Sequence, residues 1–407
     1  MMFMLILFFS VSLKADVFIP MDESQTDHLK AYGVVYRMLE KGSKCHWLLN
    51  YMGGSFIIED DKTALEECGN EIVACEAITE SRRNFIISKT NESGGKDVIL
   101  EKAPKIAVYS PPGKEPWDDA VTLVLDYTKI PYAVIYDKEI LMGKIYEYEW
   151  LHLHHEDFTG QFDRFYLNSL NQSWLIGMIE FQKTLSKELG YSKYWMMKRD
   201  VAKEISNYVK RGGFLFSMCS GTNTLDDALA LSHQDIIPAL LDGDGTIEPK
   251  LDYSNTFAFT AFKMNSAFSI DIDDINYEPE AKLYWENEKF TLTKFSPQTD
   301  PVEAMLTQNH TLKINEFLGR TTTFRKDKLK QTTVILGDAF DNKYAKYIHG
   351  AYGEGFFTFL AGHDPEDFVH YVNDPPTDLQ FYKHSPGYRL ILNNVLFPAS
   401  QEKKKKT

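Results

Sequence analysis

Short apolar segments alternate with amphipathic helical segments along the middle of the chain, and this alternation constrains the fold most strongly. Runs such as 106–110 and 132–136 have the length and the flanking turns of buried strands. Between and after them, the spacing of apolar residues predicts helices at 117–128, 173–189 and 197–211. Strands that alternate with helices usually pair in parallel, with helices on both faces of the sheet. The sequence therefore predicts an α/β fold with a largely parallel, flavodoxin-like sheet.

The ends of the chain and its polar stretches suggest a division into segments. Residues 1–15 have the apolar run and the small residue before the cut that are typical of a signal peptide, which predicts a periplasmic or secreted protein with no membrane span after its removal. The alternative is a buried first strand. We predict a β-α-β unit at 16–100 whose polar second half, 59–100, is a loop or connector. An α/β domain then covers 101–400, with an inserted mixed β segment at about 245–330, and 401–407 form a basic tail.

Composition narrows the possible partners. The chain has 407 residues, is 43% hydrophobic and carries a net charge of −14, which suits a large core and argues against binding to nucleic acid. The basic run Lys403-Lys404-Lys405-Lys406 is expected to be a solvated tail. Four cysteines are too few for a disulfide scaffold, although Cys68 and Cys75 could pair in an oxidising compartment.

A cysteine lies where a strand meets a helix. The apolar run 214–218 ends at Cys219, and Ser220, Gly221 and a helical pattern follow. Such a corner exposes a nucleophile, and the start of a helix lowers the pKa of a thiol. Backbone N–H groups of Ser220 and Gly221 would then form part of an oxyanion hole. The alternative is that Cys219 is a small buried apolar side chain.

A thiol nucleophile needs a base, and His363 is the candidate. It lies in the turn Gly362-His363-Asp364-Pro365-Glu366, so Asp364 or Glu366 could orient its ring. Nearby carboxylates would also raise the pKa of His363. A histidine that only caps a loop is the alternative.

A second histidine cluster occurs at 150–157. On a strand, His152 and His154 share one face and suit a divalent metal, with Glu156 or Asp157 as an oxygen ligand. His155 faces the other way and could meet Cys219 across the sheet, so we expect His155 and Glu156 to line the substrate pocket. Apart from this possible divalent metal, we expect no cofactor.

Two resemblances add to these patterns. The corner at Cys219 together with His363 and Glu366 resembles the class I glutamine amidotransferases, which implies a Cys-His-Glu site on an amidotransferase-like fold. Nearly the whole mature chain resembles an exported bacterial family commonly labelled asparagine synthetase B. The matching stretches include 19–22, 27–33, 150–161, 347–350 and 385–398. The chain has no Cys at position 2 or at the predicted mature terminus Asp16, and no Ser-Gly-Gly-x-Asp-Ser loop for ATP. The resemblance therefore implies the amidotransferase-like fold rather than ATP-dependent synthesis.

These observations predict an exported hydrolase in which Cys219 attacks an amide or ester. The substrate would be a small molecule, a peptide or a saccharide. One alternative is a non-catalytic envelope protein that binds a saccharide or peptide on its aromatic side chains. Another is a metal-assisted hydrolase centred on His152 and His154.

Overall fold

A computed structural model gives the architecture for most of the chain. It describes residues 15–59, 62–113, 118–162, 171–264, 274–275, 289–298, 304–306, 311–317, 321–339, 342–367 and 373–400. The predicted signal peptide, except residue 15, and the predicted basic tail lie outside these residues, as does much of the predicted insertion.

The first part of the chain forms a five-stranded antiparallel sheet. Its strands are β1 (Asp16–Ile19), β2 (Cys45–Leu49), β3 (Ser55–Ile58), β4 (Glu76–Ile78) and β5 (Lys96–Leu100), and its helices are α1 (His28–Glu40), α2 (Lys62–Glu71) and α3 (Glu80–Glu92). The strand order is β4-β1-β3-β2-β5, and every pair is antiparallel. Strand β3 therefore lies between the two strands of the predicted β-α-β unit.

Alternate side chains of this sheet pack on opposite faces, as a strand requires. Val17 and Ile19 join the core beneath α1, whereas Phe18 joins a smaller cluster with Ile86 of α3. Helix α3 buries little more than Ile86 and Thr90. Because such an exposed helix needs few apolar residues, the sequence of 59–100 reads as a loop, and that prediction is wrong.

A buried histidine with two carboxylate partners, referred to below as the histidine clasp, joins three parts of the antiparallel sheet. His46 on β2 places Nδ1 2.9 Å from both oxygens of Asp97 and Nε2 2.7 Å from Glu59 Oε1. Burial by itself lowers the pKa of His46, but hydrogen bonds and charges from Asp97 and Glu59 raise it above 6.5 overall. The stabilisation is therefore complete below the ordinary histidine pKa of about 6.5 and is lost as the pH rises through the raised value.

We expect His46→Gln to lower the free energy of unfolding by about 1.5–3 kcal/mol at pH 5.5, because hydrogen bonds to charged groups are lost. The loss should shrink at pH 9, where the native histidine is neutral. Urea unfolding of both proteins at the two pH values measures this difference. His233→Gln is the matched control, since the His233 side chain is 51% exposed. An equal loss at both pH values would contradict the clasp.

The remainder of the described chain builds a ten-stranded mixed sheet. Its strands are β6 (Ile106–Tyr109), β7 (Ala133–Ile135), β8 (Trp150–Leu153), β9 (Phe214–Met218), β10 (Lys289–Leu292), β11 (Lys313–Asn315), β12 (Phe324–Arg325), β13 (Val334–Asp338), β14 (Tyr344–Tyr352) and β15 (Gly355–Leu360). Its helices are α4 (Ala120–Thr128), α5 (Asp137–Leu141), α6 (Ser173–Glu188), α7 (Tyr194–Lys210), α8 (Gly221–Leu231), α9 (Ala239–Asp242) and α10 (Pro386–Leu396). The order is β11-β10-β13-β14-β15-β9-β8-β6-β7, and β12 pairs with β14.

The predicted largely parallel, flavodoxin-like sheet, as in the class I glutamine amidotransferases, is wrong. Strands β15, β9, β8, β6 and β7 run parallel, but the pairs from β11 to β15 and the pair β12–β14 are antiparallel. Parallel pairing needs a crossover connection, usually a helix, and β14 and β15 are instead joined by a tight turn. The fold is therefore α/β with one antiparallel and one mixed sheet.

Helices cover both faces of the parallel strands. Phe214, Phe216 and Met218 of β9 point into the core shared with α1, α4 and α10. Leu215 points into the core on the other face, which α5, α7 and α8 complete. Among the described helices, none is both long and apolar enough to cross a membrane. The carboxyl ends of β8, β9 and β15 lie side by side, and the predicted site residues follow them.

Candidate active site

Cys219 forms the corner between β9 and α8, where the sequence predicts it. Its backbone φ is +47°, in the left-handed region that residues other than glycine rarely adopt. Its N–H donates to the carbonyl of Gly362 over 3.1 Å, which fastens the corner to the end of β15. Backbone strain of this kind is held by the surrounding structure and clusters at functional sites.

Gly221 fixes the other side of the corner to the end of β8. Its N–H donates to the carbonyl oxygen of His154 over 2.7 Å. A Cβ at Gly221 would lie 2.9 Å from that oxygen and 2.9 Å from Ser217 Oγ, so a larger residue would force α8 away from the sheet. Because the Gly221 amide is already bonded, an oxyanion role stays a prediction for the amide of Ser220 alone.

Three imidazole rings meet at the carboxyl end of the mixed sheet. His363 Nε2 lies 3.1 Å from His155 Nε2. The rings of His154 and His155 stack with centroids 3.8 Å apart, and the His363 ring lies 4.7 and 4.6 Å from them. Since β9 lies between β8 and β15, His363 reaches across the end of β9, where Cys219 lies. His155 stacks on His154, rather than facing away from it as predicted, because β8 ends at Leu153 and strand alternation ends with it.

Asp119 links two of the predicted histidines. His152 Nε2 lies 3.0 Å from Asp119 Oδ2, and His152 Nδ1 lies 3.2 Å from the carbonyl of Phe216. Asp119, His152 and His154 also place one possible ligand atom each within 4.8 Å of one another, so a metal at the predicted pair stays a prediction. Burial alone would raise the pKa of Asp119, but the charges of His152 and His154 bring it well below 3.8.

His154 is arranged differently from His152. It is 2% exposed, and its Nδ1 lies 3.0 Å from Asp119 Oδ2, although not at the angle of a hydrogen bond. Its Nε2 is buried and has no hydrogen-bond partner among the described residues. Burial lowers the pKa of His154 more than Asp119 raises it.

The two carboxylates predicted to orient His363 contact other groups. Asp364 accepts hydrogen bonds from the Tyr388 hydroxyl at 2.7 Å and from the Glu366 amide at 2.8 Å. Burial raises the pKa of Glu366, and a hydrogen bond from Ser385 partly offsets this. Both carboxylates therefore contact residues at the start of α10, and orientation of His363 by either one stays a prediction.

Glu156 belongs to a buried network around Lys198. Lys198 Nζ lies 3.1 Å from Glu156 Oε2, 3.2 Å from Asp137 Oδ1 and 2.8 Å from the Tyr109 hydroxyl. Burial raises the pKa of Glu156, against the charge of Lys198. Burial lowers the pKa of Lys198, but the charges of Asp137 and Glu156 raise it overall, so the ammonium is held charged.

A second buried lysine lies on the Cys219 side. Lys346 of β14 donates to the carbonyl oxygens of Phe317 and Thr322 at 2.6 and 2.9 Å. Its ammonium lies 3.0 Å from Glu316 Oε2. Burial lowers the pKa of Lys346 overall, and the charges of Glu316 and Cys219 offset this only in part. Lys346 and Cys219 therefore interact electrostatically.

A cleft of about 440 Å³ opens beside the histidines. Its walls come from the segments that follow β6 and β8, and it is lined by Ser110, Asp118, Asp119, His154, His155 and Glu156 among others. The chain leaves β6 and β8 in opposite directions, since β6 leads to β7 on one side and β8 leads to β9 on the other. Ligands of open α/β sheets bind in such a crevice. Cys219, Ser220 and Gly221 do not line this cleft, and Cys219 is 3% exposed.

Sequence reasoning missed Asp119, Lys198 and Lys346. Lys198 was detectable, because it falls on the apolar face of α7 in register with Val201 and Ile205. Lys346 interrupts the buried strand β14 in the same way. Asp119 carries a weaker signal, as an acidic residue directly before a helix, where a cap is the ordinary explanation.

Comparison with known proteins yields distant similarities. No family model matches the chain, and no curated protein matches it. Among solved structures, the "cytoplasmic protein STM1381" of Salmonella typhimurium LT2 is 14% identical, with 72% of this chain and 98% of that chain covered at a TM-score of 0.36. The "cytoplasmic protein STM3548" of Salmonella typhimurium is 12% identical, with 72% and 97% covered at a TM-score of 0.34. A GH42 beta-galactosidase from G. stearothermophilus is 9% identical, with 69% and 30% covered at a TM-score of 0.30. Similarity at this level assigns neither a family nor an activity, so the resemblance to the asparagine synthetase B family stays a prediction.

Proposed function

We propose that the chain is a hydrolase that cleaves an amide or an ester through a covalent bond to Sγ of Cys219. The observation that carries the proposal is the left-handed backbone of Cys219 at a strand-to-helix corner, beside strand β15, which His363 follows. A strained corner at the carboxyl end of a parallel strand is the position from which known nucleophiles attack. Lys346 interacts electrostatically with Cys219, and its ammonium form would favour the thiolate.

The chemistry proceeds in two steps. His363 takes the thiol proton, Sγ adds to the carbonyl carbon, and the leaving amine or alkoxide departs with that proton, which leaves a thioester. Water then attacks the thioester, His363 takes a proton from the water and returns it to the thiolate, and the acid is released. We assign these transfers to Nδ1 of His363, because its Nε2 is 3.1 Å from His155. Since Cys219 is 3% exposed, the wall between the cleft and the thiol has to open when substrate binds.

Acetylation by p-nitrophenyl acetate tests the proposal without knowledge of the natural substrate. We expect a burst of p-nitrophenol and an acetyl group that peptide mass spectrometry places on Cys219. Cys219→Ala should lose both, and His363→Gln should slow acetylation by about 10²–10⁴-fold, the usual contribution of a general base.

Cys75→Ala is the matched control, because Cys75 is a partly buried thiol remote from the corner in sequence. In this variant, p-nitrophenyl acetate should acetylate Cys219 at the wild-type rate. Hydrolysis by Cys219→Ala at the wild-type rate would disprove the proposal. Export to the periplasm or the medium stays a prediction. The choice among small-molecule, peptide and saccharide substrates also stays a prediction, and a panel of esters and amides would narrow it.

A further inference from the structure

We infer that His154, His155 and His363 form a binding site for a divalent transition metal such as zinc, and that the bound ion stops the reaction of Cys219. The site differs from the pair His152 and His154 that the sequence predicts. The inhibitory part rests on the proposed function, whereas the metal site itself does not.

The spacing of the nitrogens fits one ion. One ligand atom from each of the three histidines lies within 4.8 Å of the other two. The Nε2 atoms of His155 and His363 are 3.1 Å apart. In a tetrahedral zinc site with zinc–nitrogen bonds of 2.0–2.1 Å, two nitrogens are about 3.3 Å apart. The pair therefore has nearly the separation that a shared ion would impose.

His154 supplies an independent observation. Its Nε2 is buried without a hydrogen-bond partner among the described residues, which is costly for a polar atom unless a ligand fills the position. Its other nitrogen lies 3.0 Å from Asp119. A carboxylate that accepts a hydrogen bond from one nitrogen of a histidine, with the other nitrogen on the ion, is the usual outer shell of a zinc ligand, and Asp119 lies at the distance for this role although not yet at the angle.

The contacts of His155 fit the same site. Its Nε2 also lies 3.1 Å from the carbonyl oxygen of Asp118. Without an ion, a proton on this nitrogen faces both that oxygen and His363. Zinc would bind Nε2 in the tautomer whose proton lies on Nδ1, and the Asp118 carbonyl would then lie close to the ion as an oxygen ligand. His154 and His155 line the cleft, so the ion could enter from there.

A metal at this position would fix the base of the proposed reaction. Coordination through Nε2 locks the ring of His363 and places a double positive charge beside it, so that its other nitrogen becomes a poor proton acceptor. We therefore expect zinc to inhibit acetylation of Cys219, and a chelator to restore it.

Calorimetric titration of the chelator-treated full chain with zinc chloride tests the site. We expect one zinc per chain, with affinity reduced more than about 100-fold in His154→Gln, since loss of a ligand should exceed the 10–100-fold cost of losing an outer-shell partner. The control His233→Gln removes an exposed histidine and should bind as the wild type does. Circular dichroism verifies that the variants fold. If His154→Gln does not fold, His363→Gln replaces it as the ligand variant. Absence of zinc binding, or unchanged binding in both ligand variants, would overturn the site.

Two further measurements separate this inference from the proposed function. Cys219→Ala should bind zinc within about threefold of the wild-type affinity, because the three ligands remain. If it does, and the metal-free wild type never acetylates Cys219, the hydrolase is wrong and the metal site stands. If zinc binds but acetylation proceeds at the same or a higher rate, the inhibitory role is wrong.

Discussion

Replacing Lys198 by methionine is expected to lower the free energy of unfolding by about 3–5 kcal/mol, the range for breaking a buried ion pair by removal of one partner. The Lys198 ammonium lies 3.2 Å from Asp137 and 3.1 Å from Glu156, and all three side chains are buried. The substitution leaves two carboxylates without their cation. It also removes a cation from among the rings of Tyr136, Tyr109 and Phe158, which lie 4.9, 5.3 and 5.4 Å from Nζ.

Urea unfolding followed by circular dichroism measures this loss. Lys203→Met on the same helix is the matched control, because Lys203 is exposed and its replacement should change stability by no more than about 0.5 kcal/mol. If Lys198→Met unfolds at the same urea concentration as the wild type, the network contributes no net stability. Since Glu156 lines the cleft, the same network also fixes one wall of the candidate site.

Replacing Lys346 by methionine is expected to reduce both stability and the reactivity of Cys219. The change leaves Glu316 without its buried cation and the carbonyls of Phe317 and Thr322 without a donor, so we expect a loss of about 3–5 kcal/mol. It also removes the charge that favours the Cys219 thiolate, so acetylation at pH 7 should slow by about threefold or more.

Two readouts separate these effects. Unfolding in urea reports the structural loss, and acetylation by p-nitrophenyl acetate, measured far below the unfolding transition, reports the thiol. The control Lys343→Met changes an exposed lysine at the start of the same hairpin and should alter neither readout. A destabilised Lys346→Met whose Cys219 reacts at the wild-type rate would show that Lys346 is structural alone.

Local patterns accounted for the elements of the parallel region. Between β6 and α8, the strands and the helices other than the short α5 occur where apolar spacing predicts them, because each of these elements buries one apolar face. The elements of 59–100 show no clear apolar periodicity in the sequence, since α3 is exposed and buries few apolar residues. The order in which strands pair could not be predicted from local patterns either. Strands β2 and β3 are close in the chain, but only the assembled sheet shows that β3 lies between β1 and β2.

The candidate site shows the same division. The corner at Cys219 was predictable because strand, small residues and helix follow one another within a few positions. Asp364 and Glu366 also follow His363 closely, yet their hydrogen bonds go to the start of α10, because side-chain direction in a turn depends on what packs against it. Lys198 and Lys346 were overlooked because the environment that holds each charge comes from distant segments.

The sequence by itself determined the alternating strands and helices of the central region, the position of Cys219 at a strand end and the histidine-rich segment after β8. Only the tertiary structure decided that His363 crosses the end of β9 to meet His155, 208 residues away in the chain. It also decided that His152 contacts Asp119 and Phe216, whereas Nε2 of His154 is buried without a hydrogen-bond partner among the described residues. The physical reason is that burial of one face produces a hydrophobic periodicity within each element, which can be recognised locally. The site instead depends on which strand ends become neighbours, and long-range strand pairing determines those neighbours.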